Sequence, residues 1–165
     1  FAKEDTNRVL FLADGGIYEQ GTPAEIFDSP RREKTIAFIQ KIKYFTYDID
    51  RKDFDLMILQ GGIQIFGEKY GLDIKRINRL QICCEELIYE LLAHCYPNRD
   101  EVEMKMDISY AEADRTTQIR LTCSGEKYDP FAQAEDGLGV TILRNMSRQL
   151  DYQFINNRNQ LNITL

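Results

Sequence analysis

The chain has 165 residues, 43% of them hydrophobic, and its 21 basic and 27 acidic side chains give a net charge of −6. This length and composition fit a globular chain of one full domain plus a smaller piece. The acidic balance and the lack of a basic cluster argue against nucleic acid as a partner, and no apolar run is long enough for direct membrane insertion. We expect no signal peptide, and the 4 cysteines lack a C-x-x-C spacing, which favours reduced, buried thiols in a cytosolic protein over a zinc site.

The beginning of the chain predicts a hairpin followed by helices. Two short strands, 9–13 and 17–20, are joined by Asp14-Gly15-Gly16, a turn that tolerates positive φ. Thr22-Pro23 then supplies a capping threonine and a proline at the first helical position, and Ser29-Pro30 repeats the pattern. We therefore expect a small hairpin-plus-helices segment.

This segment resembles the end of the ATP-binding subunit of polar amino-acid ABC importers, after the switch histidine. The matching residues are Arg8-Val9, Phe11, Gly16-Ile17, Glu19, Gly21, Pro23 and Glu25-Ile26-Phe27. The resemblance implies that residues 1–42 are the C-terminal remnant of such a domain, cut from a longer protein. That full-length protein would be cytoplasmic, peripheral to the inner membrane and bound to the transporter's membrane subunits.

The same segment lacks the G-x-x-x-x-G-K-[ST] motif, so it cannot run the ATPase cycle of an ABC protein by itself. A piece of this size seldom buries enough surface to fold alone. We expect it to dock on the rest of the chain or on another copy through its apolar strand Val9-Leu10-Phe11-Leu12.

The remaining residues, 43–165, predict a second domain with roughly five strands and three helices. Alternating apolar residues place strands near 44–47, 102–110, 119–123, 150–154 and 161–165. We expect an α/β fold, a two-layer sandwich of a mostly antiparallel mixed sheet with helices on one face. Inside a helix predicted at 53–70, the Gly61-Gly62 pair indicates a kink or, preferably, a close helix crossing.

The helix predicted from Asp73 to Tyr96 organises this domain and begins at a capping aspartate. Its apolar residues recur three and four apart, which puts one face into a core. These residues are Ile77, Leu80, Cys84, Leu87, Ile88, Leu91, Leu92 and Cys95. A second face carries Cys83, Glu86, Glu90 and His94 at one-turn spacing. Periodicity alone favours a solvated face for these side chains.

Much later in the chain, Asp136-Gly137-Leu138-Gly139 predicts a turn that opens a short helix before a final hairpin. Backbone N–H groups at a helix start favour an anion, and glycine lets a phosphate approach the backbone. In order with Glu86 to Tyr96, this turn resembles the histidine-kinase-like (GHKL) ATPases, most closely the serine kinases that act as anti-sigma factors. Those proteins carry an E-x-x-x-N-x-x-x-H-x-Y helix, a D-x-G turn followed by aromatic-Asp-Pro, and a G-x-G-L-G helix start.

The resemblance implies roles for the positions that match. Glu86 takes the place of the general base that activates water or a substrate hydroxyl. His94 ends the same helix motif, and Gly125 matches the glycine of the D-x-G turn. Gly137, Leu138 and Gly139 match the turn that holds the nucleotide's phosphates.

Other positions depart from the family. Glu90 replaces the asparagine that holds magnesium; an acid can also ligate magnesium, but it adds repulsion beside a triphosphate. Cys123 replaces the aspartate that reads adenine, and a thiol is a weak hydrogen-bond partner. The lid loop, 131–135, is short. The resemblance therefore implies a degenerate site in which binding of ATP and magnesium is weak, altered or lost.

Three functions follow as alternatives. We favour a regulatory or interaction module appended to an importer ATPase. The second alternative is an active serine kinase or ATPase, with Glu86 as base, Glu90 on magnesium and the Gly137 turn on phosphate. The third is a structural homodimerisation domain, since the kinase relatives commonly pair through their sheets. Whether the chain is an enzyme stays open at this point.

Overall fold

The computed structural model describes residues 8–39, 41–133 and 137–165. The chain divides into two compact units. One unit is built from the segment before Tyr44 and from Ala111–Arg115, and the other from Tyr44–Tyr110 and Thr116–Leu165. The predicted domains, 1–42 and 43–165, stay a prediction, because a compact unit is not by itself an independently folding domain.

The first unit contains the predicted hairpin and helices. Asp14 and Gly15 take φ values of 54° and 78°, the left-handed conformation that the predicted turn requires. Thr22 and Glu25 form a capping box at the predicted helix start. The elements are β1 (Val9–Ala13), β2 (Gly16–Gly21), α1 (Pro23–Phe27) and α2 (Glu33–Ile39).

The second helix of this unit begins later than the sequence predicts. Ser29-Pro30 does not start it, because the backbone N–H groups of Arg31 and Arg32 donate to the Glu19 carboxylate at 2.9 and 3.2 Å. These bonds hold the two arginines outside the helix, which starts at Glu33. The predicted docking strand remains a prediction, and its Leu12 is 68% exposed.

The second unit is a five-stranded antiparallel sheet with helices, as the sequence predicts. The remaining strands and α-helices of the described residues are β3 (Ile42–Arg51), α3 (Leu56–Lys69), α4 (Ile74–Cys95), β4 (Glu101–Ala111), β5 (Thr116–Cys123), α5 (Leu138–Met146), β6 (Gln149–Ile155) and β7 (Arg158–Thr164). The strand order is β3-β4-β5-β7-β6. Asn156 and Asn157 join β6 to β7 with φ values of 52° and 60°, as a two-residue hairpin turn requires. Among the described residues, no helix is both long and apolar enough to cross a membrane.

The core lies between α3, α4, α5 and one face of the sheet. In β4, Met104, Met106 and Ile108 are buried, whereas the residues between them point outward and are polar. Helix α4 buries its predicted apolar face there, with Leu80 and Leu87 fully inside. Each such side chain contributes about 1.5–3 kcal/mol relative to exposure. This burial fixes the orientation of α4 and therefore of its second face.

At the Gly61-Gly62 pair, the predicted close neighbour of α3 is a strand and not another helix. A Cβ on Gly62 would lie 2.8 Å from the ring of Phe45, so the close neighbour is a strand residue of the sheet. Gly61 has open space around it. On the outer side of α3, Met57 and Ile65 are 78% and 67% exposed, which leaves an apolar stripe on this helix.

Candidate functional site

The second face of α4 is more buried than a solvated helix face. Glu86 and Glu90 are half-buried, and only His94 is exposed. Cys83, predicted to share this face, is fully buried, and burial raises the pKa of its thiol to about 11. The prediction of a solvated face is therefore wrong for Cys83, whereas the prediction of a buried thiol is confirmed, because the core extends farther around α4 than its apolar stripe indicates.

Glu90, Tyr128 and His94 form one cluster at the end of α4. The Tyr128 hydroxyl donates a hydrogen bond to Oε1 of Glu90 at 2.6 Å. The His94 ring stacks on the Tyr128 ring with centroids 4.1 Å apart and planes 5° from parallel. Nδ1 of His94 lies 2.9 Å from the backbone oxygen of Glu90 and 3.5 Å from its Oε1. The Glu90 carboxylate therefore has a hydrogen-bond donor inside the protein.

The electrostatics of this cluster keep the proton on the phenol. Burial and then the hydrogen bond to Glu90 raise the pKa of Tyr128 well above its ordinary value. A hydrogen bond to an ionised acceptor is stronger than one between neutral groups. A magnesium ion at Glu90 would have to displace this bond.

Glu86 faces the start of α5. A Cβ added to Gly139 would lie 2.7 Å from Oε2 of Glu86, so glycine at this position lets the first turn of α5 pack against the carboxylate. Negative charge near a helix start is favourable. The same charge repels a phosphate that approaches this turn.

The rest of the predicted phosphate turn is open. Gly137 caps α5 without a side-chain hydrogen bond, and a Cβ there would meet nothing within 4 Å. Leu138 is 79% exposed. Asp136, the first residue of the predicted turn, lies outside the described residues, as do positions 134 and 135 of the predicted lid.

Gly125 is required by the backbone. Its φ is 110°, and a Cβ there would lie 2.5 Å from the backbone oxygen of Cys95. That oxygen also accepts a hydrogen bond from the N–H of Glu126 at 3.0 Å. These contacts fix the loop after β5 against the end of α4. The loop thereby places Tyr128 next to Glu90.

Cys123 lies in the core and not at an open surface. It is fully buried and lies opposite Asn159 in the β5–β7 ladder. The neighbouring Cys123 thiol and burial raise the pKa of the Cys95 thiol well above its ordinary value. This environment gives a base such as adenine no accessible polar group at position 123.

Asn159 joins these contacts, and sequence reasoning missed it. Its Oδ1 accepts from the Tyr128 N–H at 3.0 Å and the Tyr152 hydroxyl at 2.8 Å. Its Nδ2 donates to the Glu126 oxygen at 2.9 Å and to Sγ of Cys95 at 3.6 Å. A polar residue among the alternating residues of the last strand was the one available signal.

The structure therefore brings Glu90, His94, Cys123 and Gly125 to one end of α4, and sets Glu86 beside Gly139. Within residues 8–39, 41–133 and 137–165, no three His, Cys, Asp or Glu side chains lie together as metal ligands. A magnesium ion at Glu90 would need water and phosphate oxygens for the rest of its shell.

Comparison with known proteins finds relatives for a quarter of the chain. Over 42 residues, 26% of the chain, it is 55% identical to the probable amino-acid import ATP-binding protein YxeO of Bacillus subtilis and covers 17% of that protein. Over the same length it is 48% identical to the arginine transport ATP-binding protein ArtM of B. subtilis, covering 18% of it. It is 45% identical to the general L-amino acid transport ATP-binding protein AapP of Rhizobium johnstonii, covering 16%.

No protein-family model matches the chain. The chain spans 16–18% of the length of these curated relatives, so the match concerns a small part of each. Within that limit, this part of the chain is similar to amino-acid ABC transporter ATP-binding proteins. The matched length of 42 residues equals that of the segment 1–42.

Proposed function

We propose that this chain joins the end of an amino-acid ABC importer's ATP-binding subunit to a GHKL-like module with a degenerate nucleotide site. The module, which resembles anti-sigma-factor serine kinases, would act in regulation or protein interaction. Similarity to importer ATP-binding proteins over 42 residues supports the first part. The motif order along α4, the loop after β5 and the start of α5 supports the second.

The Glu90–Tyr128 contact carries the proposal that the nucleotide site has been converted. In the resembled family, an asparagine at position 90 holds magnesium. Here a carboxylate stands at that position and accepts the Tyr128 hydroxyl at 2.6 Å, with His94 stacked on the phenol. Binding a metal nucleotide would cost this hydrogen bond and add carboxylate–phosphate repulsion.

The other departures agree with that reading. The position that reads adenine in the family is Cys123, whose thiol is buried against Cys95 and Asn159. The carboxylate of Glu86 lies against Gly139 at the phosphate turn. The residues that would contact the base and the phosphate of a nucleotide therefore contact other residues of the chain instead.

In the full-length protein, the ABC domain would bind ATP, which is what the relatives' names state for those proteins, and would use magnesium with it. The protein would lie in the cytoplasm, peripheral to the inner membrane, and bind the transporter's membrane subunits. No residue of this chain bears on which amino acid is transported. The appended module would then respond to, or bind, something other than the transported solute.

Calorimetric titration with ATP and ADP, with and without magnesium, tests the proposal. We compare the native chain with Gly137→Ala, which alters the phosphate turn where there is room for a methyl group, and with Gly61→Ala, an open helical glycine on α3. We expect no saturable heat for any of the three up to about 1 mM nucleotide. Binding in the native chain and in Gly61→Ala that is lost in Gly137→Ala would contradict the proposal.

An active serine kinase is a second candidate, favoured by the position of Glu86 beside the start of α5. It predicts phosphate transfer from ATP to a serine-containing partner, lost in Glu86→Ala and kept in Glu85→Ala. Glu85 is the matched control, because its carboxylate accepts from Gln60 at 3.1 Å and lies away from Gly139. Absence of transfer with the native chain removes this candidate.

Homodimerisation is a third candidate, favoured by the apolar outer stripe of α3. A second copy could cross this helix at Gly61, which has open space around it. Sedimentation of the native chain and of Met57→Lys, which puts a charge on a 78% exposed position, tests it. A dimer lost in Met57→Lys supports pairing through α3, and a monomeric native chain excludes it.

A further inference from the structure

Two of the four cysteines lie side by side in the core. Cys95 is the last residue of α4 and Cys123 is the last residue of β5, and both are fully buried. They are 28 positions apart in the chain, so only the fold brings them together. We propose that this pair is a redox site, at which a peroxide converts the two thiols into a reversible Cys95–Cys123 disulfide.

Contacts of the residues beside the two cysteines hold their backbones close to each other. The N–H of Glu126 donates to the backbone oxygen of Cys95 at 3.0 Å. The Tyr96 hydroxyl lies 3.2 Å from Oγ of Ser124. A Cβ added to Gly125 would lie 3.2 Å from Cβ of Cys95. The end of α4 and the residues directly after β5 therefore run against each other.

Asn159 connects the two cysteine side chains. Its Cα is paired with that of Cys123 in the antiparallel ladder of β5 and β7. Side chains paired in this way point to one face of the sheet, with Cβ atoms about 4.5–5.5 Å apart. Nδ2 of Asn159 also lies 3.6 Å from Sγ of Cys95. The Cys95 sulfur thus contacts the side chain that stands directly beside Cys123, which gives the two thiols the neighbouring positions that a disulfide requires.

The reaction at this pair is a two-electron oxidation. The thiolate of Cys123 attacks one oxygen of hydrogen peroxide, the O–O bond breaks, and the leaving hydroxide takes the thiol's proton to become water. The thiol of Cys95 then attacks the sulfenic sulfur, the S–S bond forms, and the sulfenic oxygen leaves as a second water. Two thiols and one peroxide therefore give one disulfide and two waters. A thiol reductant restores the two thiols by exchange.

The surroundings of the two thiols assign the first step to Cys123. The neighbouring Cys95 thiol lowers the pKa of Cys123, whereas the Cys123 thiol and burial raise the pKa of Cys95. The thiolate is the nucleophilic form of cysteine, so the thiol that loses its proton more easily reacts first. Because both thiols are buried, we expect oxidation to be slow and to proceed when the loop after β5 opens locally.

The other two cysteines do not form an equivalent pair. Cys83 and Cys84 are adjacent in α4, so their side chains point about 100° apart around the helix. Burial raises the pKa of both thiols. In the part of the chain that the structure describes, no cysteine belongs to a group of three or more metal-binding side chains. These observations favour redox chemistry over metal binding at the pair, and they make Cys83 and Cys84 internal controls.

Oxidation of the pair is expected to reach the cluster at Glu90. Oδ1 of Asn159 accepts the Tyr128 N–H at 3.0 Å, and the Tyr128 hydroxyl donates to Glu90 at 2.6 Å. The sulfur that Asn159 contacts belongs to Cys95, which directly follows His94 in the chain. We therefore expect disulfide formation to move the His94 ring signals in NMR spectra. This effect does not depend on whether the chain binds a nucleotide.

Peptide mapping after peroxide treatment tests the proposal. The native chain, kept folded, and the same chain unfolded in urea are treated with excess hydrogen peroxide, alkylated and digested with trypsin. A Cys95–Cys123 disulfide links the peptides 80–99 and 121–127, and fragmentation of the first peptide distinguishes Cys95 from Cys83 and Cys84. We expect the folded chain to lose two of its four thiols to this one bond, and a thiol reductant to restore them.

Two comparisons show whether the fold directs the reaction. In the unfolded chain, a Cys84–Cys95 disulfide closes a shorter loop and should outnumber the Cys95–Cys123 disulfide by about fourfold. In the folded chain, Cys123→Ala should lower the yield of disulfide at least about tenfold, because the attacking thiolate is gone. Cys83→Ala removes another buried thiol of the same domain and should leave the yield within about twofold of native.

The proposal is overturned if the folded chain keeps all four thiols while the unfolded chain is oxidised, since the pair would then have only a packing role. It is also overturned if the folded and unfolded chains give the same mixture of disulfides, or if Cys123 ends as a sulfinic or sulfonic acid. If Cys123→Ala does not fold, Cys95→Ala replaces it, and mapping of the native chain decides by itself. A disulfide that leaves the His94 signals unmoved would contradict the effect on the cluster.

Discussion

The two ends of helix α4 differ in how their polar side chains are satisfied. At its end, Glu90 already holds the Tyr128 hydroxyl and His94 stacks on that phenol. At its beginning, Nε of Arg76 lies 3.6 Å from Oδ2 of Asp73, the residue that caps the same helix. The contact at the end of α4 joins residues 38 positions apart, whereas the contact at its beginning joins residues three positions apart. Neighbouring residues thus explain the beginning of α4, and only the tertiary fold explains its end.

The largest loss of stability is expected from Asn159→Ala, which removes hydrogen bonds beside the end of α4. The change leaves the Tyr128 N–H, the Tyr152 hydroxyl and the Glu126 oxygen without their buried partner. We expect a loss of about 4 kcal/mol in the free energy of unfolding, measured by urea denaturation. Asn162→Ala, on the same strand, is the control and should cost about 0.5 kcal/mol. Equal losses would mean that Asn159 does not organise the site.

Gly125→Ala should have the next largest effect. A methyl group there meets the Cys95 oxygen at 2.5 Å and forces a residue with a side chain to φ 110°. We expect a loss of about 3 kcal/mol, with the His94 and Tyr128 contacts disturbed as well. Gly71→Ala has φ 69° but open space, so strain alone should cost it about 1 kcal/mol. A similar cost for Gly125→Ala and Gly71→Ala would show that the close contact of the loop with the Cys95 oxygen does not matter for stability.

Tyr128→Phe removes one hydroxyl and leaves the stacking on His94. Losing a hydrogen bond to an ionised carboxylate should cost about 1.5 kcal/mol of unfolding free energy near neutral pH. Tyr89→Phe, at a position that is 47% exposed, keeps the ring contact with Phe54; it is the control and should change stability by less than about 0.5 kcal/mol. No cost for Tyr128→Phe would contradict the strength assigned to the Glu90 contact.

The same phenol makes stability depend on pH in the alkaline range. The pKa of Tyr128 is raised in the folded protein above its ordinary value of 10.0, so the folded state holds this proton more tightly. Its contribution is complete below pH 10 and decreases as the pH rises above that value. Between about pH 8 and pH 11, the native chain should lose more unfolding free energy than Tyr128→Phe does. Parallel curves would contradict the raised pKa.

Asp73→Ala should have the smallest effect, because it changes only the beginning of α4. It removes the cap that accepts the Arg76 N–H at 3.0 Å, at a cost of about 1 kcal/mol of unfolding free energy measured by urea denaturation. Asp73→Asn, which keeps a capping side chain, is the control and should cost less than about 0.5 kcal/mol. Equal costs for the two variants would contradict the role of the cap.

Local patterns explain what the sequence predicts correctly. The three-and-four spacing of apolar residues gives α4 its bounds within a residue or two, and Asp73 caps it as expected. Asp14-Gly15 forms the first hairpin turn, as predicted, for the same local reason. These signals depend on residues close in sequence, where backbone geometry alone decides the outcome.

Contacts between distant residues explain what the sequence does not predict. Tyr128 and Glu90 are 38 residues apart, and no local pattern pairs them. Cys83 lies where a helix period puts a polar face, yet tertiary packing buries it. Arg148 and Arg79 line one small cavity although 69 positions separate them in the chain. The candidate site was therefore predictable as a set of motif positions, but not as a set of contacts.

The most direct test of the account uses His94, the single histidine of the chain. Its ring signals can be followed by NMR without assignment ambiguity while magnesium and ATP are added to about 5 mM. If the Glu90–Tyr128–His94 cluster replaces the nucleotide site, the His94 signals do not move. A saturable shift of those signals, reversed when magnesium is chelated, would contradict the account and indicate a working nucleotide site.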